Sequence, residues 1–281
     1  MRRKLLTVVA VVALVAVAVM PVGAIWGGQP DGEGHPYGAL ILAPGWTFCS
    51  GTLIAPDVVL TAAHCTSYYE EDPDNMIDEV WVTFDSEATV DPVTWEITGG
   101  TWYLAESFAT HPDYVDADWP FTSDYGLVFL AEPVEGITPA ALPEVGAVEE
   151  LIGDTGQTKV RFQDVGYGQS GVNVGGGPPT RSYAFVRKVS VQRYSPSQGT
   201  VGTLDPRWFT LGNVPSDQHG SACGGDSGSG VFALDEDTVL AVHTGGYSMG
   251  YRNRLCGRIT SLNHRVDLPD VLEWIAGYMP D

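Results

Sequence analysis

Positive charge is scarce in this chain: 14 Lys+Arg stand against 35 Asp+Glu in 281 residues, a formal net charge of −21. A surface carrying that field repels polyanions, which excludes nucleic acid and anionic membrane as partners held by basic patches. Cysteine is sparse too. Four residues are too few to staple a core-less miniature scaffold; they suit one or two bridges and leave three pairings open. Methionine is limited to 5 residues while glycine reaches 34 and proline 19, a balance that favours turns and short strands over long helices. No metal-ligand cluster, phosphate loop or cofactor fingerprint is present, so neither metal nor cofactor is expected. His35, His219 and His264 are scattered without partner spacing and read as structural.

The one long apolar run, Leu5 to Met20, has 16 residues, short of the about 20 that a membrane helix needs. It follows Arg2, Arg3 and Lys4 and precedes the small residues Val22-Gly23-Ala24. Residues 1–24 therefore read as a signal peptide, with an uncleaved anchor as the rival. No cysteine follows the run to accept a lipid. The expectation is a secreted protein, extracellular or in the cell envelope, without stable membrane association after signal cleavage and in a compartment where disulfides persist.

Beyond Ala24 the pattern is short apolar or alternating runs between Gly, Pro, Asp and Asn: Tyr37 to Leu42, Val58 to Thr61, Val80 to Phe84, Leu127 to Leu130, Val160 to Val165, Ala184 to Gln192 and Val239 to His243. Such runs predict strands and an all-β protein. Helical spacing is confined to residues 268–279, where Val271, Leu272, Ile275 and Met279 share a face. Glu132 to Val145 marks a link between two halves, and Gly171 to Pro179 an exposed loop. Glu70 to Glu79 holds six acidic residues in ten; it reads as a solvated acidic loop, with a calcium loop as the alternative.

Three distant segments carry chemistry. Leu60-Thr61-Ala62-Ala63-His64-Cys65 ends an apolar strand in small residues that let a histidine sit at a cleft rim. Ser123-Asp124-Tyr125-Gly126 sets an aspartate directly before another apolar strand. Cys223-Gly224-Gly225-Asp226-Ser227-Gly228-Ser229-Gly230 exposes a serine among glycines, whose freedom at positive φ lets neighbouring N–H groups point one way. Each is weak alone. Together they supply a hydroxyl that needs a base, an imidazole that serves as one, and a carboxylate that fixes the imidazole's tautomer.

The order His64, Asp124, Ser227 in these contexts resembles the trypsin-like (chymotrypsin-fold) serine proteases. Phe48-Cys49-Ser50-Gly51-Thr52-Leu53-Ile54, His111-Pro112-Asp113-Tyr114, Val165-Gly166-Tyr167-Gly168 and Arg265-Val266 resemble further family segments, so the likeness spans nearly the whole chain after Ala24. It implies two packed six-stranded antiparallel β-barrels with a short C-terminal helix. Residues 25–135 would form the barrel carrying His64 and Asp124, and 136–281 the barrel carrying Ser227 and the terminal helix 268–279. It implies disulfides Cys49–Cys65 and Cys223–Cys256; the first closes about 16 residues, worth roughly 3 kcal/mol on the chain-entropy estimate. It assigns Ser227 as nucleophile, His64 as base then acid, Asp124 as its orienter, and the N–H groups of Gly225 and Ser227 as the oxyanion hole. Asp113, Asp116 and Asp118 compete for the carboxylate role but lack the adjoining apolar strand. Cleavage after Ala24 would expose Ile25-Trp26-Gly27-Gly28, which resembles the family's activated N-terminus and would pair with Asp226.

For specificity the resemblance sets Ser221 at the pocket base, Thr244-Gly245-Gly246 as a wall strand that pairs with substrate backbone, and Ser261 at a second pocket position. No Asp stands at the base to demand Arg or Lys. His243 precedes the wall strand, where glutamate-specific relatives use a histidine; a packed, hydrogen-bonded histidine is the bland alternative. The expectation is cleavage after large apolar or aromatic residues, with a glutamate preference as the alternative; the bare Gly224 and Gly246 weigh against glutamate. An inactive protease-like binding protein and an esterase are the other functions this sequence allows. Partners are protein or peptide substrates, and the chain is expected to be a monomer.

Overall fold

The computed structural model describes residues 25, 28–45, 47–71, 77–91, 93–119, 122–152, 161–168, 182–186, 188–190, 194–195, 200–201, 207–212, 222–248 and 259–279. Residues 1–24, the Gly171 to Pro179 segment, His219, Ser221 and Cys256 lie outside them, as do residues 72–76 of the acidic stretch.

After β1 (Gln29–Pro30) come β2 (Gly38–Ala43), β3 (Thr47–Ala55), β4 (Val58–Thr61), helix α1 (Ala63–Glu71), β5 (Trp81–Thr83), β6 (Tyr103–Thr110) and β7 (Gly126–Leu130). Strands β2 to β7 close an antiparallel six-stranded barrel in the order β2-β3-β4-β7-β6-β5. Alternation along β2 explains its burial on both faces. Ala39 and Ile41 enter the main core, while Leu40 and Leu42 pack outside the barrel against Ala88, Val90 and Tyr167.

The second half holds α2 (Ala147–Ile152), β8 (Phe162–Gly166), β9 (Ser182–Val186), β10 (Lys188–Ser190), β11 (Tyr194–Ser195), β12 (Thr200–Val201), β13 (Trp208–Gly212), β14 (Gly230–Ala233), β15 (Val239–Ser248), β16 (Ile259–Arg265) and α3 (Pro269–Ala276). The ladder runs β1-β9-β8-β14-β15-β16-β13-β10, with β11 and β12 paired separately. One residue separates β9 from β10 in the chain, so the two far strands of this ladder are neighbours in sequence. Counted as a single interrupted strand, they bring the sheet round on itself as a ring of six, with β1 added at its edge.

The halves are laced together. β1 pairs with β9, whereas Val271 and Ile275 of α3 enter the same core as Leu60 and Leu127 of the first barrel, each burial worth about 1.5–3 kcal/mol. The Tyr125 hydroxyl donates to the Arg265 carbonyl at 2.7 Å, and that of Tyr167 donates to the Asp85 carbonyl at 2.8 Å. These are the fixed points between which the cleft forms.

Three local expectations change. Helix α3 starts one residue after Leu268, its N-cap, with Pro in the first turn. Two helices were not anticipated. α1 buries Ala63, Cys65, Thr66 and Tyr69, small or polar residues that leave no apolar stripe to read; it also absorbs Glu70 and Glu71 of the acidic segment. α2 starts at Ala147, where the Val148 N–H donates to the Asp267 carboxylate at 2.8 Å. Finally, β15 runs on past His243 to Ser248 through a register shift between His243 and Gly245. Backbone pairing with β16 joins the Val239 to His243 run and the wall segment Thr244-Gly245-Gly246 into one strand.

Candidate active site

Strand β4 ends at Thr61, and the chain turns through buried Ala62 into α1, placing His64 in the helix's first turn. The disulfide Cys49–Cys65, Cα atoms 6.4 Å apart, ties that turn to β3. Asp124 immediately precedes Tyr125 and β7, the neighbour of β4. It is fully buried, and both its oxygens serve one residue: Oδ1 accepts the His64 backbone N–H at 2.8 Å and Oδ2 faces His64 Nδ1 at 2.9 Å. A carboxylate only accepts, so Nδ1 carries the proton and Nε2 keeps its lone pair.

Electrostatics agree with that assignment. Burial alone would raise the Asp124 carboxyl, but the His64 charge and hydrogen bonds outweigh it and hold the carboxyl below its ordinary value. Burial alone would lower His64; the Asp124 charge and hydrogen bond, with Asp116 adding, overcome it and raise His64 above its ordinary value of 6.5.

Ser227 lies on the turn between Cys223 and β14, and this turn is strapped from both barrels. The Ser50 N–H donates to the Ser227 carbonyl at 2.8 Å, and the Ser50 hydroxyl to the Gly225 carbonyl at 2.9 Å. The Gly228 N–H reaches the His243 carbonyl at 2.8 Å. Gly225 and Gly228 adopt φ of +94° and +85°. A Cβ on Gly225 would lie 2.1 Å from the Phe48 ring, and one on Gly228 2.0 Å from Thr61 Oγ1, so glycine is required at both on two counts. Among the described residues, the N–H groups of Gly225 and Ser227 have no internal acceptor, leaving two donors beside the serine.

His64 and Ser227 line one cleft of about 390 Å³, together with Cys223, Gly224, His243, Thr244, Gly246 and residues of the 113–119 loop. His64 hydrogen-bonds Asp124 and not Ser227; bonds between base and nucleophile commonly tighten only when substrate binds. Ser261 is buried opposite Gly246 in the β15–β16 ladder and does not line the cleft. Cys223 is disulfide-bonded; Cys256, its expected partner, is outside the described residues. The one cluster of metal-ligand side chains among the described residues is Cys49, His64 and Cys65. Its two sulfurs are joined in a disulfide.

Asp226 is buried, its carboxylate taking the N–H groups of Gly168 at 2.7 Å and Cys223 at 2.8 Å. Ile25 is buried as well, within the continuous chain, and makes no hydrogen bond to Asp226. Burial, with the charge of Asp164 adding, pushes the Asp226 carboxyl well above its ordinary value against those two N–H groups.

Two features escaped the sequence reading. Asp164 on β8 lies beneath the cleft wall: Oδ1 accepts the Ser229 hydroxyl at 2.5 Å, and Oδ2 is 3.8 Å from His243 Nδ1. It stands in β8 next to Gln163, so a polar residue at that place gave no distinct signal. Trp119 lines the cleft beside Gly245; an isolated tryptophan in an acidic loop gave no signal.

This fold with this cleft defines a class, two β-barrels with a histidine, a buried aspartate and a glycine-flanked serine at their junction. The family model described as Trypsin matches residues 25–268, and the chain belongs to the trypsin family. A protein named trypsin from Saccharopolyspora erythraea is 32% identical over 112 residues, 40% of this chain and 43% of that protein. The vitellin-degrading protease of Bombyx mori is 28% identical over 194 residues, 69% of this chain and 65% of that protein. The chain thus matches less than two thirds of the length of either relative. A solved structure of HL collagenase superposes with a TM-score of 0.64 at 21% identity, covering 91% of this chain and 100% of that one; the likeness is one of fold.

Proposed function

We propose that this protein is a serine endopeptidase that hydrolyses protein or peptide substrates through an acyl-enzyme. The observation that carries the reading is Asp124, buried with both oxygens on His64, in a histidine–serine cleft at the barrel junction. Ser227 Oγ attacks the scissile carbonyl while His64 Nε2 takes its proton. Asp124 stabilises the imidazolium, and the N–H groups of Gly225 and Ser227 receive the oxyanion. His64 then protonates the leaving amine and activates the water that frees the acyl group. The test is labelling with a sulfonyl fluoride or organophosphonate: a mass increment on Ser227, absent in Ser227→Ala, alongside hydrolysis of peptide amides. A folded protein that takes no label sinks the reading.

The same reading includes export, with residues 1–24 removed and a mature chain that begins at Ile25. Its new ammonium would insert beside Asp226 and give this buried carboxylate a positive partner. N-terminal sequencing of the secreted protein checks it, and any start other than Ile25 refutes it. The second disulfide would join Cys223 to Cys256, and the working form is a monomer.

For the residue before the cut, large apolar or aromatic side chains suit a cleft walled by Gly224, Gly245 and Gly246. One observation favours a second reading, a glutamate preference. His243 Nδ1 faces two acceptors, Asn263 Oδ1 at 3.2 Å and the Asp164 carboxylate at 3.8 Å. These contacts anchor the ring from behind and fix a histidine in the cleft wall, where an acidic side chain of the substrate would meet it. Peptides ending in Phe, Glu or Arg before the chromophore separate these readings.

A further inference from the structure

Gly245 leaves a gap in the cleft wall, and a tryptophan from the other barrel fills it. A Cβ at Gly245 would come 2.6 Å from Trp119 Cζ2 and 3.1 Å from Cη2, so the indole occupies the space that a side chain on β15 would take. Trp119 is nevertheless 40% exposed and lines the cleft with His64 and Ser227. Asp116, three residues earlier, lines it too. The loop that presents them is braced. A 3-10 turn spans Asp116–Asp118, the Trp119 N–H closes on the Asp116 carbonyl at 3.1 Å, and the Tyr114 hydroxyl holds Asp116 Oδ1 at 2.9 Å. Thr122 Oγ1 accepts the Val115 N–H at 2.6 Å and donates to the Asp113 carbonyl at 3.0 Å. A π face beside a carboxylate, on a rigid loop, is a cation-accepting surface. No Lys or Arg among the described residues lines this cleft to compete for it, and the field of Asp116 reaches far enough into the cleft to raise His64.

We infer that Trp119 and Asp116 form a specificity subsite that selects a Lys or Arg side chain at the substrate residue immediately preceding the one whose carbonyl is attacked. The inference rests on the catalytic reading above and on the pairing of Thr244-Gly245-Gly246, now part of β15, with substrate backbone before the cut, as the family resemblance implies. A side chain leaving that backbone at Gly245 meets the Trp119 ring, in a cleft that Asp116 also lines. The subsite is independent of the pocket under His243, so it holds whichever residue fits there.

The test is a set of peptide amides identical except at that one position, carrying Arg, norleucine or Glu. For the wild-type protein kcat/KM should fall in that order, with Arg ahead of norleucine by about tenfold from combined cation–π and charge attraction. Asp116→Asn should reduce the Arg advantage over norleucine, and Trp119→Leu should remove the ring contribution. Trp119→Phe, which keeps a π face, should restore part of the preference and serves if Trp119→Leu does not fold. Ratios between substrates of one variant cancel any change in His64 itself. A flat order in the wild type, or an order unchanged in both the Asp116 and Trp119 variants, overturns the inference. A single-residue ester, which has nothing at that position, separates the two levels of argument. If the wild type hydrolyses it and the peptide order is flat, only the subsite is wrong; if the wild type leaves it intact, the catalytic reading falls and takes this one with it.

Discussion

Two buried aspartates, one in each barrel, show how differently the two halves of the site are finished. Asp124 sits at the start of β7 with both oxygens on His64, and its carboxyl is held low despite complete burial. Asp226 precedes the serine, has backbone N–H groups as its hydrogen-bond partners among the described residues, lies within the field of Asp164, and is held high. The same side chain at the same depth thus ionises easily in one place and reluctantly in the other, because a buried charge is stable only beside an opposite one. The first barrel carries its counter-charge in its own side chains. For the second, no such counter-charge stands beside Asp226 among the described residues, and the proposed new N-terminus at Ile25 would bring one.

The sharpest way to break this comparison is to remove each carboxylate. Asp124→Asn should leave the fold intact but let His64 adopt the wrong tautomer, lowering kcat by about 10⁴-fold. Active-site titration with a single-turnover substrate checks that the protein is still folded. Asp226→Asn should act differently, changing activity only in the form that begins at Ile25. Adding one residue before Ile25 should cost as much as losing an oxyanion donor, about 10²–10³-fold, and Asp226→Asn should bring the extended and unextended forms to the same low rate. Equal rates for the two forms of the unmutated protein would remove the contrast between the halves.

Much of this was legible in the residues themselves. His64, Asp124 and Ser227 stand in contexts their chemistry demands, small residues before the histidine, an apolar strand after the aspartate, glycines around the serine. What stayed hidden depends on partners remote in sequence. Helix α1 buries small and polar residues against β6 and β7 rather than an apolar stripe, so periodicity could not reveal it. The continuity of β15 from His243 into the wall segment, through a register shift, is set by β16. Asp164 and Trp119 matter only because the fold brings them to His243 and Gly245, and nothing local marks either encounter.

A smaller effect tests the nucleophile loop through packing. Gly228→Ala sets a methyl against Thr61 Oγ1 and the Ser50 carbonyl at a backbone φ of +85°. Overpacking of this kind costs about 1–3 kcal/mol, so the denaturation midpoint should fall without a change in the slope of the transition. Gly136, also at positive φ but with nothing within 4 Å of its would-be Cβ, is the control: its alanine variant bears the backbone penalty without the clash and should lose less.

The smallest effect concerns pH and separates the two aspartates again. His64 must be neutral to act as base, and its raised value places the acid limb of kcat/KM above 6.5. Asp116 contributes to that rise through its charge, as the smallest of the named causes, so Asp116→Asn should move the limb to lower pH. Stability runs in opposite senses at the two buried carboxyls. For Asp124, whose folded value is lowered, the contribution is present above the unfolded value of 3.8 and is lost as pH falls through the lower folded value. For Asp226 in the uncut chain, whose folded value is raised, the contribution is full below 3.8 and is lost as pH rises towards the folded value. Denaturant titrations from acid to neutral pH should therefore show Asp226→Asn relatively more stable at neutral pH than at acid pH, against the uncut wild type, and Asp124→Asn the reverse. The same pH trend in both variants would mean that the two sites share one electrostatic environment, and the distinction between a self-completed barrel and a waiting one would fail.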